Sequence, residues 1–353
     1  MLLSILSLAS FAIVAVLVAG VIKLAPLFGL VDLPVARSAH THPKPLGGGA
    51  ALAAPYFLCV SWLAMNGHVS GSLAAYVACL LIVFLGFGDD LWQLTSRVRL
   101  PIQFLLGAVA VRAIGVGSVD FGWFTLSQPL LLTLLAVVSL VWLLNLTNFM
   151  DGIDGIAGAQ LVFTSVGCVL LLSTGTAPGD ELLVEAGEFD VVIILAAVLA
   201  ASGAGFLLWN WSPASIFMGD AGSGFIGFAI GLLALESLAS EKISVWSWLL
   251  LLGVFIADTA VTLVNRVARG EKWYEGHSQH AYQILSRRLQ SHSRVVWILV
   301  IIDVLWLFPL AWLAGILPHY GVLFATIGLL PLFAASHLLG AGIDNAGGAE
   351  TAK

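Results

Sequence analysis

Charge is scarce in this 353-residue chain: Asp, Glu, Lys and Arg make up 10% of it, against about 25% in soluble domains. That shortage, beside 60% hydrophobic residues and a mean hydropathy of +1.03, excludes a water-soluble globular domain and a disordered chain alike. A net charge of −6 gives no electrostatic ground for nucleic acid. Cysteine is nearly missing. The three present, Cys59, Cys79 and Cys168, stand in apolar runs without C-x-x-C spacing, so packing residues are expected there and neither a disulfide framework nor a zinc site. No Lys or Arg precedes the first apolar run, whereas Lys23 and Arg37 follow it; a cleaved signal peptide has the opposite pattern. No internal repeat is evident, and the short spacers leave no room for a separate soluble domain.

What fills the chain instead is long apolar runs. A spanning helix needs about 20 mainly apolar residues, and eleven such runs recur, at 2–22, 46–65, 71–88, 100–117, 129–147, 157–174, 190–209, 222–239, 244–264, 294–316 and 320–340. The expected fold is all-α, a polytopic integral membrane protein of about eleven transmembrane helices, with one membrane domain over 1–340 and a cytoplasmic tail at 341–353. Lys and Arg collect in cytoplasmic loops. With the N-terminus outside, alternation places 12 of the 14 Lys and Arg inside or at inner helix ends, and only Arg112 and Lys242 outside. A missed span would scramble that split, so count and orientation support each other, and the C-terminus is expected inside. The cytoplasmic segments are then 23–46, 89–99, 147–157, 210–222 and 265–293.

Acidic residues divide by side as well. The outer loop at 175–190 carries Asp180, Glu181, Glu185, Glu188 and Asp190 in no fixed pattern and reads as a solvated surface. The inner side carries "GFGDDLWQ" with Asp89 and Asp90, "NLTNFMDGIDG" with Asn145, Asn148, Asp151 and Asp154, and "WNWSPASIFMGDAGSG" with Asn210 and Asp220. A single Asp at a membrane boundary can be a helix cap. Five on one face, two of the three stretches lacking a nearby Lys or Arg, would raise one another's pKa and strain the fold unless a cation joined them. Clustered Asp and Asn form a hard-oxygen set suited to magnesium, with manganese a substitute. Glycines beside the acids break the helix and let backbone approach a ligand, and "GDAGSG" leads into an apolar run whose first N–H groups would face an anion.

The remaining inner loops are basic. Residues 23–46 include Asp32, Arg37, His40, His42 and Lys44, and residues 265–293 include Arg266, Arg269, Lys272, His277, His280, Arg287 and Arg288 among the aromatics Trp273, Tyr274 and Tyr282. Acids that hold a metal, beside basic loops, suit a phosphate-rich soluble substrate meeting a membrane-bound one.

In the order and spacing of these motifs, from "DLPVARSAHTHPKPLGGG" to "EGHSQHAYQILSRRL", the chain resembles the polyprenyl-phosphate N-acetylhexosamine-1-phosphate transferases. The resemblance implies a magnesium-dependent reaction on the cytoplasmic face of the bacterial inner membrane. A UDP-N-acetylamino sugar gives its sugar 1-phosphate to undecaprenyl phosphate and UMP is released. It also implies roles. Asp89 and Asp90 match the adjacent pair assigned to deprotonating the lipid phosphate, and Asp220 the metal Asp of "F-M-G-D-x-G-S". Asp151 and Asp154 match the "D-G-x-D-G" acids, Asp151 being a second candidate for metal or catalysis. Asn145 and Asn148 accompany them, Asn210 matches an Asn near the nucleotide, Arg99 a basic residue near the phosphates, and His277 and His280 the histidine motif that contacts diphosphate and sugar. "HSQH" lacks the consecutive histidines of the muramoyl-pentapeptide enzymes and looks more like the subgroup that starts O-antigen or capsule chains with N-acetylglucosamine or a deoxy N-acetylamino sugar. Leu46 stands where much of that subgroup has a basic residue, which makes Lys44 the substitute. A homodimer is compatible with all of this.

Two other classes share single features. An intramembrane aromatic prenyltransferase would use "NFMDGID" as an N-x-x-D-x-x-D metal motif, but needs a second Asp-rich run that "GDAGSG" does not supply. A secondary transporter would use glycine-broken helices and intramembrane acids, but near the bilayer midplane; here only Asp258 and Asp303 lie within apolar runs.

Overall fold

A computed structural model describes residues 1–32, 43–174, 190–271 and 277–343. Within them lie α1 (Leu2–Leu24), α2 (Gly48–Met65), α3 (Leu73–Trp92), α4 (Ser96–Ile114), α5 (Pro129–Met150), α6 (Ile156–Ser173), α7 (Val191–Asn210), α8 (Asp220–Ala239), α9 (Val245–Leu251), α10 (Gly253–Ala268), α11 (Ala281–Leu289), α12 (His292–Ile302), α13 (Phe308–Ile316) and α14 (Gly321–Leu339). A π-helical turn, Asp303–Leu307, joins α12 to α13. Strands are confined to two antiparallel pairs of two residues each: β1 (Val31–Asp32) with β2 (Lys44–Pro45), where Asp32 faces Lys44, and β3 (Val119–Asp120) with β4 (Thr125–Leu126).

All eleven apolar runs are helical, as a backbone in hydrocarbon must be to satisfy its own N–H and C=O groups. Nine of the described helical segments are long and apolar enough to cross a membrane, and a tenth is α9 with α10 taken as one span. The run at 100–117 becomes α4, which Arg97, Arg99 and Arg112 make more polar than its neighbours. The run at 244–264, expected as one span, is broken within: α9 and α10 meet at a 76° bend. Its composition gave no sign of this because the break is held from outside. The Leu251 carbonyl accepts the Gln160 amide of α6 at 2.8 Å, replacing the bond that the bend removes. The cytoplasmic segment expected at 265–293 likewise contains α11 and the start of α12.

At the centre stands α8, with most of its side chains buried. Without a hydrophobic drive between helices in lipid, close backbone approach supplies the contact. Gly49 of α2 lies against Gly222, so that a Cβ at either would strike the other's backbone, and Gly86 of α3 lies as closely against Asp220 and Ala221. Those contacts draw the C-terminal end of α3 and the N-terminal end of α2 onto the start of α8. The C-terminal ends of α5, α7 and α10 and the N-terminal ends of α6, α11 and α12 arrive at the same end of the bundle, as the side-chain bonds described below record.

Candidate active site

Two of the helices that begin at this end are capped by carboxylates from other helices. The first N–H groups of a helix have no partner within it. At α8, Asp90 of α3 supplies one: its two oxygens accept from the N–H groups of Asp220 at 2.7 Å and Ala221 at 3.2 Å. At α11, Asp258 of α10 does the same for Ala281 at 2.9 Å and Tyr282 at 2.8 Å.

Asp220, at the first turn of α8, is the hub of the acidic group. Asn148 of α5 donates to its Oδ1 at 2.5 Å and to Ser223 at 3.0 Å. The Arg99 guanidinium pairs with Asp89 and lies 3.5 Å from the other Asp220 oxygen. Asn145 donates to Gln103 at 2.9 Å. These residues surround a small, partly open cleft lined by Asp89, Arg99, Gln103, Asn145, Asn148 and Asp220 together with the apolar Ile82, Leu85 and Leu144. Asp90 is turned away from it as the cap on α8.

A second wall is the turn at 151–155, between α5 and α6. Asp154 faces outward to other segments: its carboxylate accepts from the Ala214 N–H at 3.1 Å and lies 3.3 Å from Nδ1 of His292. Burial alone would raise the Asp154 carboxyl, but the bonds from His292 and Ala214 outweigh it and hold it below its ordinary value. Asn210 is buried with its amide divided between Gly155 N–H at 3.0 Å and Ile216 C=O at 2.9 Å, and Lys44 donates to the Ala214 carbonyl at 2.5 Å. Asp154, Asn210 and Lys44 therefore hold the 211–219 loop against the turn, and their side chains are engaged by protein rather than open to a ligand.

Asp151 differs from all of these. Half-buried at the end of α5, its carboxylate has no hydrogen-bond or ion-pair partner among the described residues. Burial first, then the charges of Asp220, Asp90 and Asp154, push its pKa well above the ordinary value. That orphaned acid beside Asp220 is what a hard cation would correct. Among the described residues no three His, Cys, Asp or Glu side chains converge on one point, so the protein would supply a carboxylate pair at most. Magnesium is commonly held in that way, by one or two carboxylates with waters and substrate phosphates completing the shell. The donor set fits.

The histidine segment closes on the same turn. The Tyr282 hydroxyl donates to the Phe149 carbonyl at 3.0 Å, and a Cβ on Gly152 would strike it. His277 and His280 stack 4.9 Å apart, each 6.2 Å from the Phe149 ring. Both ring nitrogens of His277, and Nε2 of His280, are buried without a partner. Burial, with His280 and Arg266 nearby, pulls the His277 pKa from 6.5 down to about 3.

Asp89, Asp90, Arg99, Asn145, Asn148, Asp151, Asp154, Asn210, Asp220, Lys44, His277 and His280 thus gather at one end of the bundle. Arg37, His40, His42, Lys272, Trp273, Tyr274 and the tail beyond 343 lie outside the described residues. Sequence reasoning missed Gln103, His292 and the role of Asp258. Gln103 carried a usable signal, four residues after Arg99 and so on the same helical face. His292 carried none, since its partner Asp154 is distant in the chain. Asp303, the other acid within an apolar run, is buried in the π-helical turn and takes no part in this cluster.

The family model described as glycosyl transferase family 4 matches residues 72–238, the stretch from α3 through α8. The chain is 28% identical to "Probable undecaprenyl-phosphate N-acetylglucosaminyl 1-phosphate transferase" of Bacillus subtilis (strain 168), over 79% of this chain and 76% of that protein. It is 30% identical to the decaprenyl-phosphate N-acetylglucosaminephosphotransferase of Mycolicibacterium smegmatis, over 77% and 72%. With the undecaprenyl-phosphate alpha-N-acetylglucosaminyl 1-phosphate transferase of Escherichia coli (strain K12) the identity is 26%, over 75% and 71%. A multi-pass membrane protein with this acidic, asparagine-lined end and these relatives belongs to the polyprenyl-phosphate N-acetylhexosamine-1-phosphate transferases of glycosyl transferase family 4 and is a sugar-1-phosphate transferase.

Proposed function

We propose that the protein transfers the sugar 1-phosphate of a UDP-N-acetylamino sugar, UDP-N-acetylglucosamine or a deoxy relative, to undecaprenyl phosphate. UMP is released, and the product starts a lipid-linked O-antigen or other cell-surface polysaccharide. The reaction takes place at the cytoplasmic face of the bacterial inner membrane. The observation that carries this reading is the cleft that Asp89, Arg99, Asn148 and Asp220 line together with the apolar Ile82, Leu85 and Leu144, with the charge of Asp151 acting on Asp220 nearby. A phosphate with an isoprenoid tail has both halves of its chemistry met there.

An oxygen of the lipid phosphate attacks the β-phosphorus of the UDP-sugar, a P–O bond forms, and the bond from that phosphorus to the oxygen bridging α and β breaks. Asp89 is the member of the adjacent pair that lines the cleft and takes any remaining proton from the attacking phosphate. The nucleophile is already largely ionised near pH 7, so a covalent phospho-aspartate is not needed. Arg99, lying between two carboxylates, can turn part of its fork to a phosphate oxygen. Asp151 and Asp220 would hold magnesium, which when bound would neutralise diphosphate charge and polarise the phosphoryl group. Asp90 keeps the start of α8 in place, and the 211–219 loop is fixed by Lys44, Asp154 and Asn210.

The test is UMP release by the purified protein with undecaprenyl phosphate, magnesium and a panel of UDP-N-acetylamino sugars. Release is expected with at least one sugar, to be lost on chelation. A well-folded protein silent with every sugar would overturn the reading.

A further inference from the structure

The family reading places His280 near the donor substrate but leaves open what aims its ring. The structure supplies a second residue. Asp258, 4% exposed in α10, is saturated by donors: its Oδ1 accepts from Thr262 at 3.1 Å, from the Ala281 N–H at 2.9 Å and from His280 Nδ1 at 3.1 Å, and its Oδ2 accepts from the Tyr282 N–H at 2.8 Å. Backbone N–H groups can only donate, so the Asp258 oxygens accept from Ala281 and Tyr282, and against such an acceptor the tautomer with its proton on Nδ1 is the one that makes the 3.1 Å contact with His280 a hydrogen bond. The other nitrogen, Nε2, is then the free one, buried and without a partner. The stack of His277 and Phe149 on the ring keeps it from rotating.

We propose that Asp258 is a positioning residue for the transfer: it fixes His280 with its proton on Nδ1 and presents the Nε2 lone pair as a hydrogen-bond acceptor to an N–H or O–H of the nucleotide-sugar. The inference rests on the proposed donor. Behind metal-bound imidazoles a carboxylate sets the ring's tautomer and orientation, and losing it typically costs about 10–100-fold in affinity or activity; Asp258 stands to His280 in the same way. The cap that Asp258 also provides for α11 is the bland alternative, and the donor kinetics and the ring tautomer separate the two roles. Asn has one oxygen where the cap uses two, so its NH2 group faces a backbone N–H of α11 in either orientation and the cap weakens. Turned toward His280, that NH2 group donates to Nδ1 and moves the ring proton to Nε2, where a donor would meet a donor.

Asp258→Asn is expected to lower the unfolding midpoint in detergent, to lose at least tenfold in kcat/KM for the UDP-sugar chiefly through KM, and to leave KM for undecaprenyl phosphate unchanged. Full kcat/KM in Asp258→Asn beside a destabilised Asp258→Ala would make the residue a cap only and overturn the proposal. Should Asp258→Asn fail to fold, histidine nitrogen NMR of the wild type decides. The resonance pair lost in His280→Gln should report a proton on Nδ1, and a proton on Nε2 overturns the proposal. Because the spectrum needs no substrate, a wrong donor assignment would appear in the UMP assay alone and would not be mistaken for a wrong Asp258–His280 pair.

Discussion

Single residues at the bundle end divide into those open to a ligand and those spent on the protein, and the division predicts unequal mutational effects. Asp220 touches Asn148 and Arg99 and stands beside the unpartnered Asp151. Asp220→Asn keeps the shape and removes the charge, so UMP release should fall by about a thousandfold or more, as when one electrostatic stabiliser of a transition state is removed, with the unfolding midpoint held or raised. Full metal-dependent activity in that variant would refute the assignment. His277 makes a pH prediction. Its pKa is about 3 in the folded protein against 6.5, so between those values the unfolded chain takes up a proton that the native state refuses. Stability is then complete above pH 6.5 and is lost as the pH falls toward 3. The midpoint in detergent should drop between pH 7 and pH 5 and drop less in His277→Gln; equal slopes would remove His277 from the account. The charged candidates were legible in the sequence because acids and histidines are rare in an apolar chain. Their partners were not, since Asp154 meets His292 and Asp258 meets His280 only after helices have packed. The sequence also could not tell Asp90, a cap, from Asp89 beside it.

Among the elements, apolar length identified the helices, and what it could not register was a break paid for by a neighbour. Residues 244–264 form one mainly apolar run, yet α9 and α10 bend by 76° after Leu251, and the freed Leu251 carbonyl is taken by Gln160 at 2.8 Å, with Thr164 at 3.4 Å. A carbonyl left bare in that interior costs about 1–3 kcal/mol. Gln160→Leu should therefore lower the unfolding free energy by an amount of that order and the midpoint with it, and Gln160→Glu at neutral pH by more, through a buried charge facing an acceptor. An unchanged midpoint in Gln160→Leu would show that the bend is set elsewhere. The bend matters for the site because α10 carries Asp258 and leads to the histidine segment. Since α6, which carries Gln160, also begins at the 151–155 turn, one helix ties the break to the acidic wall.

For the molecule as a whole, the distribution of charge and the packing of helix ends make the same division independently. Lys23, Lys44, Arg97, Arg99, Arg266, Arg269, Arg287 and Arg288 lie at or near the helix ends that gather with the site, while Arg112 closes α4 at the opposite end and Lys242 follows α8 there, bonded to Asp190 at the start of α7 at 2.7 Å. Nothing in helix packing requires that split. Arg99 is held there by Asp89 and Asp220, but Lys23, Arg97 and Arg269 have no such pairing among the described residues, and membrane insertion retains Lys and Arg on the cytoplasmic side. The site end should therefore face the cytoplasm, where nucleotide sugars are made, and Met1 should lie outside. With Cys59, Cys79 and Cys168 replaced, a single cysteine at Thr95 or Gln290 should react with a membrane-impermeant maleimide only after the cells are opened, while one at Gly67 or Ser118 should react in intact spheroplasts. Labelling at Thr95 from outside would invert the protein and put the cleft out of reach of its donor. Labelling of Thr95 and Gln290 on different sides would instead break the eleven-span alternation, because both lie at the site end only if the chain crosses an even number of times between them.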